Sequence, residues 1–360
     1  MFNCGIIDRY CPLMKNTNPR GLFDDQFRLD AISCQGDPLE KLNKHIDWSL
    51  FKPLLNAVFA RENRGVGGRP PYDYVMMFKV LILQRYYNLS DAQTQFQILD
   101  RFSFMRFLGL QLSDRVPDEK TIWLFRQRLT ECEAVEELFA VFLRSLEAAG
   151  LVGNEGQIID ASFVEAPRQR NNREDNAKIK AGETPEGWEL KPNMLEQKDL
   201  DARWTKKNNL TFYGYKNHGK VDAKSKLITK YLVTDASVHD SQALEGLLEK
   251  EKDAGQTLHA DSAYVGPEQE KTIMEAEMTN EVHEKGYKNA PLTEEQKASN
   301  KEKSHIRVRV EHVFGFMENS MNGMFIQSIG IVRATGIIGL MNLTYNMFRA
   351  TQLLSAAKLA

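Results

Sequence analysis

The apolar residues of this chain change their period near Leu151, and no other feature constrains the fold as much. Up to about Ala149 they recur every three or four positions, as on one face of a helix. Beyond Leu151 they form short alternating or wholly apolar runs, the pattern of strands buried on one or both faces. A chain of 360 residues has room for two domains, or for one large domain with an appendage. The pattern therefore predicts a helical first part joined to a sheet-containing second part.

Residues 1–42 carry turn signals (NTNPRG, QGDP) without sustained periodicity and read as an irregular leader, in which Met14 is a second candidate start. Residues 43–61 read as helix, with Leu54, Leu55, Val58 and Phe59 as the apolar stripe. GVGGRPPY breaks the chain, and Pro71 is suited to open the next helix, YDYVMMFKVLILQRYY, which stops at Asn88. Ser90 with Gln93 has the capping-box spacing and starts a helix to about Arg101. Asp118 in VPDEKT caps a long helix running through FRQRL to about Ala149. Residues 43–149 are thus a helical region of helix-turn-helix-like type. Such elements can place a helix in a DNA major groove. The stripes alone specify only a bundle, but Arg115, Lys120, Arg126 and Arg128 are expected to be exposed and favour a polyanionic partner.

In the second part QIIDASFV reads as a strand, and residues 165–208, polar and rich in both charges, as a long mobile loop. LTFYGYKNHGKVD and KLITKYLVTD read as a hairpin joined by AKSK. SQALEGLLEKEK is a helix, TLHAD a buried strand, PEQEKTIMEAE a helix and NEVH a short strand. A second mobile loop spans about 285–303, and IRVRVEHVFGFMENSM opens another helix. This order predicts an α/β layer on a mixed, partly antiparallel five-stranded sheet. The late apolar stretch IGIVRATGIIGLMNLTYNMF contains Arg333, Asn342 and Asn346, so it reads as buried helix rather than a membrane span. Its polar stripe, Asn342, Asn346 and Arg349, suits either helix packing or DNA contact. The first residues lack the apolar core and cleavage site of a signal peptide. Cys4, Cys11, Cys34 and Cys132 show no C-x-x-C spacing, which argues against a zinc ribbon or disulfide framework and for a reducing cytoplasm.

A net charge of −2 conceals segregation: residues 203–230 hold eight Lys/Arg against one acid, and residues 130–157 six acids against one Arg. Phosphate binding needs a local positive surface rather than a basic total. The basic hairpin, with Lys206, Lys207, Lys216 and Lys220, is the candidate for gripping phosphates, together with Arg126 and Arg128 in the helical region.

Three carboxylates sit in apolar settings: Asp160 in QIIDASFV, Asp261 in TLHADSAY and Glu311 in IRVRVEHVFG. A carboxylate so placed costs several kcal/mol unless neutralised, commonly by a metal ion. Magnesium prefers oxygen ligands and keeps several waters, so two or three carboxylates suffice to hold it. Two such ions stabilise the attacking and departing oxygens of a phosphodiester. Arg307, one helical turn before Glu311, is placed to orient it or to meet a phosphate oxygen. Asp235 and Asp240 also follow a strand, Asp240 more simply as the cap of the helix from Ser241. A zinc site would draw on His239, His259 and His312, but they form no tight ligand motif such as H-E-x-x-H.

These residues together resemble the DDE transposases of bacterial insertion sequences, specifically the insertion-sequence-five-like group, over roughly residues 44–355. GRPPYDYVMMFKVLILQRYYNLSD and VPDEKTIWLFRQRL carry the likeness in the helical part. IIDAS, YGYKNHGKVD, VTDASVHDS, HADSAYVG and RVEHVFG carry it afterwards, in family order. The resemblance implies a ribonuclease-H-like catalytic domain over 150–360, with the first and fourth strands side by side and Asp235 at the sheet edge. It implies Asp160, Asp261 and Glu311 as ligands of two Mg²⁺ ions, for which Mn²⁺ would substitute, and Arg307 as the arginine preceding the glutamate. Two positions depart from the broader pattern: Ser304 stands where a Tyr is often found, and Glu318 where a Lys is. Lys301 and Lys303 are candidates to supply the missing phosphate contact. The 50 residues between Asp261 and Glu311 leave little room for an inserted domain.

The resemblance further implies binding to the terminal inverted repeats of a mobile element, followed by strand cleavage and strand transfer into target DNA. It implies a homodimer or larger assembly on DNA, and a bacterial cytoplasmic, nucleoid-associated location without a membrane. The alternatives are a transposase-derived DNA-binding protein lacking catalysis, or a metal-dependent nuclease. An intact triad weighs against the first, and the helical module against the second.

Overall fold

Helix begins earlier than the periodicity predicts. The structure, a computed structural model, describes residues 21, 23–60, 70–169, 171–207, 209–287 and 289–357. Within the expected irregular leader it shows two helices, Asp24–Cys34 and Pro38–His45. The second is capped locally by Asp37, which accepts from Leu39 N, and Arg106 holds that carboxylate at 2.7 Å from far along the chain, a contact invisible to local pattern. Met14, Cys4, Cys11 and most of GVGGRPPY lie outside the described residues.

The remaining helical part follows its caps. Asp73, rather than Pro71, caps Tyr74–Tyr86 by accepting from Met76 N at 2.8 Å. Ser90 and Gln93 form the reciprocal capping box of Asp91–Asp100. Asp118 caps Glu119–Glu131. The long helix expected to reach Ala149 is two helices, because Glu133 takes a left-handed conformation (φ 52°) and Ala134–Ala148 sets off in a new direction. The stretch 43–61 is likewise shorter than expected, a 3₁₀ turn Trp48–Phe51 leading into Lys52–Val58.

Among the described residues six strands form one sheet: β1 (Gly156–Glu165), β2 (Arg203–Lys207), β3 (Leu210–Asp222), β4 (Ile228–Asp235), β5 (Thr257–Ala260) and β6 (Thr279–Asn280). β3 pairs antiparallel with β1, β4 and β2; β5 pairs parallel with both β1 and β6. The principal order is therefore β4–β3–β1–β5–β6, with the first and fourth expected strands adjacent and Asp235 on the edge strand. This is the ribonuclease-H-like arrangement. β2 is the unexpected sixth strand, in the stretch read as a mobile loop, which also holds the helices Arg173–Lys180 and Pro192–Leu195. The 285–303 stretch likewise contains the start of the helix Glu294–Arg307, capped by Thr293.

Alternation along β1 divides the core. Ile158 points into a cluster with the helical part, Val310, Val313 and the C-terminal helix Ile331–Ala357. Ile159 points the other way, into a cluster with Leu244, Leu247, Leu258 and Tyr264. The C-terminal helix is tied to the sheet by its polar stripe. Asn342 exchanges two hydrogen bonds with Asn217, and Asn346 closes the backbone of Ile228 with one donor and one acceptor. Arg349 donates to Ser225 O. The stripe therefore serves packing. No described helix is long and apolar enough to cross a membrane.

Candidate active site

In the β1–β5 ladder Ile158 faces His259 and Ile159 faces Ala260. Asp160 is the next residue on β1 and Asp261 the residue immediately after β5, so the parallel pairing that ends one step earlier brings their backbones side by side. Asp160 shares the face of Ile158, toward the helical stretch that carries Glu311. Its antiparallel partner is Gly219, which presents no side chain, and a Cβ there would stand 3.7 Å from the Phe314 ring. Phe314 thus lies over the strands beside Asp160.

Asp160 Oδ1 accepts from the Ala161 N–H at 2.8 Å, and Asp261 Oδ1 accepts from the Ala263 N–H at 2.8 Å. The Arg307 guanidinium spans the gap between strand and helix: Nη1 is 3.5 Å from Asp160 Oδ2, and Nη2 is 3.6 Å from Glu311 Oε1. Burial pushes the Asp160 carboxyl up to about 6. The Ala161 N–H opposes this, the Asp261 charge adds to it, and Arg307 and Lys207 oppose it in turn. Glu311 is 60% exposed and meets Arg307, not the two aspartates. Among the described residues no three His, Cys, Asp or Glu side chains are gathered closely enough to hold a metal ion. Two carboxylates, one on β1 and one just after β5, the first raised chiefly by burial, nevertheless have the oxygen donors that suit a hard divalent cation. Glu311 stands one arginine away.

Residues 153–347, more than half of the chain, match the family described as "Transposase DDE domain". The chain belongs to the DDE transposase family. Residues 27–128 match a second family, "Transposase domain (DUF772)", and the pair marks the insertion-sequence type. The protein is thus a DNA transposase, a polynucleotidyl transferase with the divalent-metal dependence of its family. Among solved structures, the chain resembles "Cryo-EM structure of piggyBac transposase synaptic complex with hairpin DNA (SNHP)", with a TM-score of 0.44 and 12% identity. That likeness covers 91% of this chain and 77% of the other, and is one of general chain course only.

The basic residues expected to grip DNA divide sharply in this transposase. Lys206 and Lys207 on β2 are exposed, and the Lys207 ammonium is near enough to Asp160 to lower its pKa. Arg128 and Lys120 are exposed on the helix Glu119–Glu131, and Arg115 is exposed in the segment before it. Lys220 is a correction: its side chain is 1% exposed, and Nζ donates to both Asp253 oxygens at 2.8 and 2.7 Å. Lys216 is another, donating to Val238 O and Asp240. β3 alternation turns both toward the side covered by the 240–253 segment, so they close a protein interface rather than face solvent. Arg126 is committed as well, in a bidentate pair with Asp91.

The competing acids are also accounted for. Asp240 pairs with Lys216, while His239 rather than Asp240 caps the 3₁₀ turn Asp240–Ala243. Asp235 accepts from Ser237 N and Oγ. Glu318 lines a cavity of about 390 Å³ with Ser162 and Phe163, so an acid stands near the site at the position where the resemblance implies a lysine. Lys303 is tied to Val282 O and Glu281. Trp188 is buried against Lys198, and Trp204 packs on Tyr213.

Two neighbours of the site escaped sequence reading. His283 extends the ladder beyond β6, its N–H donating to Ala260 O at 3.0 Å, and its Nε2 is 3.4 Å from Ser304 Oγ. Burial and then Arg307 lower its pKa, against Asp261. The NEVH strand signal, paired with the strand of Asp261, was the cue. Tyr264 is 1% exposed, and its hydroxyl has no partner among the described residues. Burial, followed by Asp240, Asp160 and Asp261, raises its pKa.

Proposed function

We propose that the chain binds the terminal inverted repeats of its own mobile element and cuts and joins them with Asp160, Asp261 and Glu311 as the ligands of two Mg²⁺ ions. The observation that carries this reading is the side-by-side placement of Asp160 and Asp261 with Arg307 linking that pair to Glu311. Bound divalent ions would activate the nucleophile and stabilise charge on the departing oxygen. The protein's own contribution is positional. Parallel pairing fixes the two aspartates, and the backbone N–H groups of Ala161 and Ala263 each hold one carboxylate oxygen, leaving the other for a cation. Arg307 links Asp160 to Glu311, and its guanidinium suits a phosphate oxygen once a cation neutralises the acids.

Water attack on the element end would release a 3′-OH and a 5′-phosphate. The 3′-OH would then displace a second 3′-oxygen in target DNA, so the number of phosphodiester bonds is conserved in the transfer. In this reading the helical region 43–149 reads the ends, and Lys206 and Lys207 hold phosphates beside the site, giving salt-sensitive binding. Joining two ends calls for a dimer or larger assembly on DNA.

The test is cleavage of end-containing DNA with Mg²⁺ or Mn²⁺, paired with a gel-shift measurement on the same duplex. Asp261→Asn should abolish cleavage and leave end binding intact, and chelation should do the same. Strand transfer retained by Asp261→Asn defeats the assignment. End binding without cleavage by the unaltered chain would make it a DNA-binding protein only.

A further inference from the structure

A cavity of about 360 Å³ lies between the helical part and the segment that leads into the C-terminal helix. Neither part forms it alone: Arg85, Asp91, Trp123 and Arg126 come from the first, Phe325 and Arg333 from the second. Its charge is unbalanced. Arg126 is neutralised by Asp91 at 2.6 Å, whereas Arg85 and Arg333 make no ion pair among the described residues. Arg85 Nε is buried without a partner, and its Nη2 makes only a long bond of 3.4 Å to Leu89 O. Burial first, and the like charge of Arg126 second, push Arg85 down to about 10. Two guanidinium groups with open donors and one carboxylate between three cations form an anion site. Trp123 and Phe325, 42% and 38% exposed, give it flat apolar walls.

We infer that this cavity holds a backbone phosphate of the element-end DNA, with the adjoining sugar against Trp123 and Phe325. The inference rests on the DNA-end reading above and adds to it a second anchor, made jointly by the two parts of the chain. Phe325 bridges to Glu165, five residues along β1 from Asp160. That separation is roughly 17 Å of strand, or about five base-pair steps of duplex. The phosphate is therefore expected within one helical turn of the cut.

The experiment replaces end-DNA phosphates one at a time by neutral methylphosphonate and measures binding to the full-length protein. The variants are Arg333→Gln, whose exposed side chain otherwise donates to Gln127, and Arg144→Gln, an exposed arginine outside the cavity. One replacement within a turn of the cut should weaken unaltered and Arg144→Gln protein about tenfold, and Arg333→Gln by less than about twofold, because that charge contact is already gone. Arg333→Gln should also lower the slope of log K against log[salt] by about one. Equal, additive effects in all three proteins overturn the inference while leaving end recognition standing. Failure of the unaltered chain to prefer end DNA over random duplex overturns both.

Discussion

Arg307 Nη1 stands 3.5 Å from Asp160 Oδ2, joining the central strand of the sheet to the helical stretch that carries Glu311. One guanidinium thereby reaches two of the three catalytic candidates, since its other amino group faces Glu311. The link crosses 147 residues of sequence.

Arg307→Ala should reduce cleavage of end DNA roughly ten- to a hundredfold, the loss expected for a charge-assisted contact. Arg307→Lys should not restore it, because an ammonium cannot span both carboxylates. Single-turnover cleavage at saturating DNA measures this; full activity in the lysine variant would show that a point charge is enough.

The raised Asp160 carboxyl sets the pH response of the metal-free protein. Its folded pKa of about 6 exceeds the unfolded value of about 3.9, so the folded state binds more protons between these values. From this group stability falls as pH rises from about 4 to 6, then stays flat. Asp160→Asn abolishes that slope. In chelator it should be more stable than the parent by about 3 kcal/mol at pH 7, and by almost nothing at pH 4. Denaturant titrations at the two pH values decide it, and an equal gap at both would place the cause elsewhere.

Lys220→Met should destabilise the fold by about 3–5 kcal/mol, because Asp253 is left buried and unpaired. Lys220→Met with Asp253→Leu should recover most of that loss. The folded double variant should bind end DNA with unchanged salt dependence. A shallower salt slope would mean that Lys220 meets phosphate after all.

Gly214→Ala should be more damaging than its size suggests. Gly214 has φ 146°, and a Cβ there would lie 2.3 Å from Val164 O, inside the β1–β3 ladder. Substitution must part β3 from β1, the strand that carries Asp160, with a loss of several kcal/mol and of cleavage together. Thermal unfolding beside a cleavage assay checks the pairing of the two effects.

What local chemistry dictates was legible in the chain itself. The caps Ser90, Gln93 and Asp118 act through residues three positions away, so their helices began where the sequence placed them. The β3–β4 hairpin and the buried strand ending before Asp261 follow from two-residue alternation and apolar runs. The three carboxylates stood out because each interrupts an apolar setting. What only the tertiary structure decided were the identities of distant partners. Lys220 and Lys207 are alike as sequence, yet one is sealed against Asp253 and the other stands exposed beside Asp160. A strand's alternation assigns its side chains to two faces, but what covers each face is settled by segments far along the chain. For the same reason the contact that fixes the leader's second helix, Arg106 on Asp37, emerged only in three dimensions. That contact spans 69 residues, a separation no local pattern records, whereas β2 pairs with the adjoining β3 (Lys207 facing Leu210) and was obscured by its polar residues.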